Sequence, residues 1–218
     1  QVSVLFWMNL HLLRRVSDAE YSLSPLVYDI LGFIPLFTMV LTSGLGRYLL
    51  NAYAKGDEKE MGRIVSSMVP LLFFVGLLLL VVGGLAAWYV DWILVIPEAL
   101  IWDARLMIFL MIFCMAVQLP CSPLGLGLYI QQKFVLSNLI SVGADIFKSA
   151  LLLVLLLGVS SRVLWVVVAS AAGQIFSLIV STMISVHLVP ALRYRYQSIR
   201  WDLVRAITGF GGWNFLVG

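Results

Sequence analysis

The stretch MVPLLFFVGLLLLVVGGLAAWYV, residues 68–90, decides the fold class of this chain. It holds 23 residues and no charged side chain. An α-helix of about 20 apolar residues is long enough to cross the hydrocarbon core of a bilayer. Trp88, Tyr89 and Trp92 close the stretch, as aromatic residues do at membrane–water interfaces. The stretch therefore predicts a transmembrane helix.

The composition extends this prediction to the whole chain. Its 218 residues are 62% hydrophobic and 11% charged, with a mean hydropathy of +1.03. Soluble domains are about 45–50% apolar and about 25% charged, so a soluble fold is excluded. The net charge of +3 does not indicate a nucleic-acid partner, because the basic residues lie in short clusters between apolar runs. We predict an all-α, polytopic membrane helical bundle in contact with lipid.

The other apolar runs divide the chain into further spans. Residues 1–13 are too short to cross a bilayer and are predicted to be the end of a first helix whose start is missing. Residues 206–218 are predicted to begin a seventh helix. Five complete spans are predicted between them, at about residues 26–50, 68–90, 104–124, 139–157 and 163–187.

The end of the fourth span carries two helix-disturbing residues, Pro120 and Pro123, followed by Gly125 and Gly127. Proline removes a helical hydrogen bond, so this pattern predicts that the span stops or kinks there. The following segment, GLYIQQKFVLSN at residues 127–138, is amphipathic and is predicted to lie along the membrane interface.

Basic residues predict the orientation, because cytoplasmic loops carry an excess of Lys and Arg. The connections after the first, third and fifth spans hold four basic residues, namely Arg14, Arg15, Arg105 and Arg162. The connections after the second, fourth and sixth spans hold nine, namely Arg47, Lys55, Lys59, Arg63, Lys133, Arg193, Arg195, Arg200 and Arg205. We therefore expect a multi-pass protein of the inner (cytoplasmic) membrane with a cytoplasmic N-terminus.

No arrangement of residues points to catalysis. The sequence has no Gly-rich phosphate loop, no His/Glu zinc spacing and no nucleophile elbow. His11 and His187 lie near the ends of different spans, and the acidic residues 57, 58 and 60 share a solvated turn with Lys55 and Lys59. We expect no enzyme activity, no metal site and no bound cofactor.

Charged residues inside predicted spans are the best candidates for functional residues, because charges are costly in lipid and normally face a bundle interior or an aqueous cavity. Asp145 and Lys148 are three residues apart in the fifth span, on one helix face. They are either a self-neutralising ion pair or a cavity-lining pair that contacts a polar substrate or coupling ion. Asp29 is either hydrated near the outer surface or functional. Arg47 either faces a cavity or extends to the cytoplasmic interface.

Two further sequence patterns allow either a structural or a functional interpretation. Small residues recur every fourth position in the sixth span, which favours close helix packing over a cavity-facing hydroxyl surface. They are Ala169, Gly173, Ser177, Ser181 and Ser185. The basic and aromatic loop at residues 193–205 is typical of an anchor for anionic lipid headgroups.

Several segments resemble one family of membrane transporters. Residues 41–68, LTSGLGRYLLNAYAKGDEKEMGRIVSSM, resemble the connection between the second and third helices of polysaccharide flippases, where a Gly-rich helix end with an Arg precedes a short turn. SDAEY at residues 17–21 looks like the first outer loop of that family. GLYIQQKFVLSNLI at 127–140 and AITGFGGWNFL at 206–216 are similar to the entries into its fifth and seventh helices.

This family, the O-antigen-type repeat-unit flippases, belongs to the multidrug/oligosaccharidyl-lipid/polysaccharide exporter superfamily. The resemblance implies two lobes around a central cavity, with residues 1–205 as the N-terminal lobe, 206–218 as the start of a seventh helix, and the second lobe missing. It implies alternating-access export of polyprenyl-pyrophosphate-linked oligosaccharide for polysaccharide or lipopolysaccharide biosynthesis. Glycan polymerisation machinery is a further implied partner.

In that setting the expected cavity residues are Arg47, Asp145, Lys148 and Asp29. The basic side chains would attract pyrophosphate, and a carboxylate would allow coupling to a proton or sodium gradient. The alternatives are a cation-coupled multidrug exporter of the same superfamily, a non-transporting membrane assembly protein and a membrane glycan polymerase. The polymerase would need a large polar outer loop, which this sequence does not contain.

Overall fold

The structure, a computed structural model, describes residues 34–93, 97–158 and 162–194. These residues form helices joined by short turns and contain no strand. In chain order the helices are α1 (Ile34–Ala54), α2 (Glu58–Trp88), α3 (Val90–Ile93), α4 (Ile101–Gly125), α5 (Gly127–Ile130), α6 (Phe134–Gly158) and α7 (Leu164–Leu188), with 3-10 turns at Glu98–Leu100 and Pro190–Leu192.

The predicted all-α membrane bundle is confirmed. Within the described ranges, four helical stretches are long and apolar enough to cross a bilayer, namely α2, α4 together with α5, α6 and α7. They correspond to the predicted third to sixth spans. Helix α1 covers the later part of the predicted second span, and the expected first and seventh helices lie outside the described residues.

Helix α2 begins at Glu58, well before the apolar stretch at residue 68. Its first turn is built by charged residues, because the Asp57 carboxylate accepts a hydrogen bond from the Glu60 amide at 2.9 Å. This N-cap satisfies one of the amides that a helix start leaves without a partner. Glu58 and Glu60 also complement the positive end of the helix dipole. The solvated turn expected from composition is therefore part of a helix start.

Helix α1 ends in a Schellman motif just before that cap. Gly56 adopts a left-handed φ of 68°, and the Asp57 amide donates to the Ala52 carbonyl at 3.1 Å. The left-handed residue reverses the chain and satisfies carbonyls that the helix end leaves free. The short connection to α2 is fixed in this way.

The predicted stop at the end of the fourth span is confirmed at Gly125, where α4 ends and a turn at residue 126 follows, although the helix runs through Pro120 and Pro123 first. Pro123 has no N–H to donate to the carbonyl of Leu119. The Ser122 hydroxyl donates to that carbonyl instead, at 2.8 Å. Ser side chains commonly satisfy backbone groups freed by proline in membrane helices, so α4 continues at little cost.

Residues 127–138, predicted to lie along the membrane interface, are divided between α5, a turn and the start of α6. Helix α5 buries Gly127, Leu128 and Ile130, which places it in the packed interior. A tight turn follows, in which Gln132 adopts a left-handed φ of 55°. Helix α6 then begins at Phe134.

The chain divides into two compact units, each described by itself. The first contains Leu79–Cys114 and Ser141–Ser177. Its core includes Met107, Val167 and Ala169, none of which exposes any surface. The outward side chains of its helices are apolar, as Ile146 (64% exposed) illustrates. A soluble protein rarely exposes so much continuous apolar surface, whereas a lipid-facing helix does.

The described part of the second unit contains residues 34–78, 115–140 and 178–194. Its core is formed by fully buried residues of α1, α2 and the turn after α7, namely Leu45, Leu49, Met68, Leu72 and Leu192. The Gln131 side-chain amide donates to the Leu188 carbonyl at the end of α7 at 3.0 Å. This hydrogen bond satisfies a carbonyl that the helix end leaves free.

Candidate functional site

The last two turns of α1 carry Arg47 on their outward face. Leu45, Leu49 and Ala52 are buried at spacings of four and three, which is the period of one helix face. This packing directs the residues between them away from the core. Arg47 is therefore exposed, although it lies near the end of a predicted span.

A pocket of about 600 Å³ lies along this outward face. Arg47 and Asn51 are one helical turn apart, so both reach the same space. The described residues that line the pocket are Arg47, Tyr48, Leu50, Asn51 and Ala54. Arg47 and Tyr48 also make other interactions within the protein. Both interpretations of Arg47, facing a cavity or extending to the cytoplasmic interface, stay predictions.

The pocket combines one permanent positive charge with neutral polar groups. The Arg guanidinium offers several N–H donors in a planar fork that matches phosphate or carboxylate oxygens. The Asn51 amide and the Tyr48 hydroxyl add donors, while Leu50 and Ala54 contribute apolar surface. The arrangement of these described residues suits an anionic ligand with an apolar part.

Asp145 and Lys148 lie on α6, in the first unit, and both are half-buried. Neither is among the described residues that line the pocket at Arg47. The ion pairs between described residues are Arg63–Glu60, Arg105–Asp91 and Arg162–Asp103, so Asp145 and Lys148 do not neutralise each other directly. Asp145 makes other interactions. Asp29 lies outside the described residues.

Helix α7 contacts α6 at Lys148 through a glycine. A Cβ atom at Gly173 would be 3.1 Å from the Lys148 Cβ and 3.3 Å from the Ala144 carbonyl oxygen. One turn further along, the rings of Phe147 and Phe176 stack with centroids 5.1 Å apart. The packing interpretation of the small residues on α7 therefore holds at Gly173.

A second polar cluster joins α2, α3 and α4. The Arg105 guanidinium donates to the Asp91 carboxylate at 2.9 Å and lies 4.9 Å from the ring centroid of Trp88 and 5.5 Å from that of Trp102. The hydrogen bond from Arg105 lowers the pKa of Asp91 below its ordinary value. Cation–π contacts of this kind stabilise a partly exposed ion pair.

Sequence reasoning missed the partners of the charged residues. It identified Arg47 but not Tyr48 and Asn51, although positions 47 and 51 share a helix face and this spacing was the available signal. It treated Gly173 only as a packing residue, since no sequence pattern links positions 148 and 173. Within the described residues, no group of three His, Cys, Asp or Glu side chains is placed to hold a metal ion.

The fold and these sites define an all-α polytopic membrane protein. It is similar to the "Uncharacterized membrane protein EpsK" of Bacillus subtilis (strain 168), with 17% identity over 208 residues. The match covers 95% of this chain and 41% of EpsK, so the chain spans less than half the length of that relative. No family model and no solved structure matches the chain.

Proposed function

We propose that this chain is part of a transporter that moves a polyprenyl-pyrophosphate-linked oligosaccharide across the cytoplasmic membrane by alternating access. The observation that supports it most is Arg47 in the pocket on α1, with Tyr48 and Asn51 beside it. A permanent cation among neutral donors, next to apolar side chains, suits a pyrophosphate that carries a lipid tail. The proposal assigns binding roles and no enzymatic step to these residues.

Lys148 and Asp145 have a second role in this proposal. Charges at half-buried positions of a membrane helix are typical of substrate and ion pathways, and both residues are half-buried on α6. Lys148 attracts the phosphate groups during transfer, and Asp145 exchanges the coupling proton or sodium ion. The basic loops remain on the cytoplasmic side, where the lipid-linked precursor is collected.

The first test is equilibrium binding of polyprenyl pyrophosphate to the purified protein, expressed from its complete reading frame in nanodiscs. Replacing Arg47 by Gln removes the charge, and a lost hydrogen bond to a charged group costs about 1.5–3 kcal/mol. We therefore expect binding to weaken by roughly 10- to 100-fold, with a smaller loss for Arg47→Lys because charge is kept without the fork.

Arg63→Gln is the matched control. Arg63 is another exposed arginine of the second unit, with a surface contact to Glu60 at 3.4 Å, and it does not line the pocket. We expect its affinity to match that of the unaltered protein. Equal affinity for the Arg47→Gln and unaltered proteins would reject the site, and tighter binding of a lipophilic cation than of polyprenyl pyrophosphate would favour a multidrug exporter.

A further inference from the structure

Lys148 is held by the backbone of the neighbouring helix. A Cβ atom at Gly173 would approach the Lys148 Cβ to 3.1 Å and its Cγ to 3.8 Å. Gly173 is buried, so the start of the lysine side chain runs across a place where α7 has no side chain. This contact lies at the base of the side chain that carries the ammonium group.

The atoms that Gly173 contacts on α6 have little freedom to move. The Lys148 Cβ is fixed to the main chain of α6. The Ala144 oxygen, 3.3 Å from the position of the added Cβ, is itself a main-chain atom. A side-chain rotation therefore cannot relieve a methyl group at position 173. The stacked rings of Phe147 and Phe176, with centroids 5.1 Å apart, hold the same two helices together nearby. Any relief must come from a displacement of α6 against α7 at Lys148.

We infer that Gly173 is a positioning residue for Lys148, which sets where the ammonium group lies by letting its alkyl stem cross the backbone of α7. This inference rests on the proposed function for the role of Lys148, but the contact itself does not. No hydrogen bond or ion pair between described residues holds the Lys148 ammonium. The fit of the Lys148 Cβ and Cγ against Gly173 is therefore the described contact that bears on its position.

The test follows the Lys148 amine directly. The lysines of the protein, expressed from its complete reading frame, are labelled by reductive methylation with ¹³C-formaldehyde, and the Lys148 resonance is assigned by its loss in Lys148→Arg. In Gly173→Ala we expect this resonance to shift, while those of Lys55, Lys59 and Lys133 stay in place. A Gly173 that does not position Lys148 would leave the Lys148 resonance where it is.

Gly143→Ala is the matched control on α6 itself, because no described atom lies within 4 Å of the added Cβ. It should leave the Lys148 resonance unchanged. An unmoved Lys148 resonance in Gly173→Ala, or an equal shift in Gly143→Ala, would overturn the inference. If Gly173→Ala does not fold, Phe176→Ala loosens the same helix contact, and an unmoved Lys148 resonance there would overturn it as well.

Binding of polyprenyl pyrophosphate separates this inference from the proposed function. If both hold, Gly173→Ala weakens binding as Lys148→Ala does, and adding Gly173→Ala to Lys148→Ala has no further effect. A shifted Lys148 resonance with unchanged binding in both single variants would support the positioning role and reject the role of Lys148 in substrate binding. Additive losses in the double variant would overturn the inference, because Gly173 would then act independently of Lys148.

Discussion

Gly76 of α2 lies against the main-chain carbonyl of Ala116 in α4, so closely that a Cβ atom at position 76 would be 2.6 Å from that oxygen. Ala116 is also the residue whose helical hydrogen-bond donor is missing, because position 120 is a proline without an N–H. Glycine thus allows the backbone of one helix to approach a free carbonyl of another. The close approach leaves no room for a side chain at position 76.

Gly76→Ala should destabilise the protein. The added methyl group meets a main-chain oxygen that cannot rotate away, and overpacking of this kind typically costs about 1–3 kcal/mol. Thermal unfolding in detergent, followed by circular dichroism, measures the effect. Gly143→Ala meets no described atom within 4 Å and should leave the midpoint unchanged or raise it. Equal unfolding midpoints for the two variants would show that Gly76 does not closely approach the Ala116 carbonyl.

Ser122→Ala should also destabilise α4, by about 1 kcal/mol, because it removes the hydroxyl that donates to the Leu119 carbonyl at 2.8 Å. The loss should disappear when Pro123 is replaced by Ala, since residue 123 then supplies its own amide donor to Leu119. A double-mutant cycle on the unfolding midpoint measures this coupling. Independent effects of the two substitutions would show that the Ser122 hydroxyl does not replace the amide donor that Pro123 lacks.

Gln132→Gly should stabilise the turn between α5 and α6. Gln132 adopts a φ of 55°, a left-handed conformation that costs a residue with a Cβ about 1 kcal/mol relative to glycine. Gly56→Ala, at a φ of 68°, is the reciprocal change and should be destabilising. Both are measured as shifts of the unfolding midpoint, and a lower midpoint for Gln132→Gly would mean that the glutamine side chain itself is required.

The Asp91–Arg105 pair should respond to acid. The hydrogen bond from Arg105 lowers the pKa of Asp91, so the ionised carboxylate stabilises the folded state. This contribution is fully present above the unfolded-state pKa of about 3.9 and is lost as the pH falls through the lower pKa of the folded state. Tryptophan fluorescence at Trp88 and Trp102 should therefore change below about pH 4, and this change should be absent in Asp91→Asn.

The spanning helices were predictable because hydrophobicity alone determines them. The stretch at residues 68–90 has no other stable environment than lipid, and α2 contains nearly all of it. The start of α2 was predictable in principle too, since Asp57 and Glu60 have the spacing of a helix cap. It was missed because the same residues also suit a mixed-charge turn.

The contacts of the proline region and of the charged residues were not predictable from the sequence. The effect of Pro123 depends on the Ser122 hydroxyl, and the close approach of Gly76 to Ala116 joins residues that are distant in the chain. The contact between Lys148 and Gly173 likewise depends on how α6 and α7 pack. Such tertiary contacts override local propensity, whereas the exposure of Arg47 follows from helix periodicity once α1 is placed.

Transport itself tests the central proposal most directly. Proteoliposomes containing the protein from its complete reading frame are loaded with a fluorescent polyprenyl-pyrophosphate-linked oligosaccharide, and a membrane-impermeant reductant is added outside. If the protein moves this lipid, label from both leaflets is lost, at a lower rate with Arg47→Gln and at the normal rate with Arg63→Gln. Loss from the outer leaflet alone, as in protein-free vesicles, would contradict the proposed function.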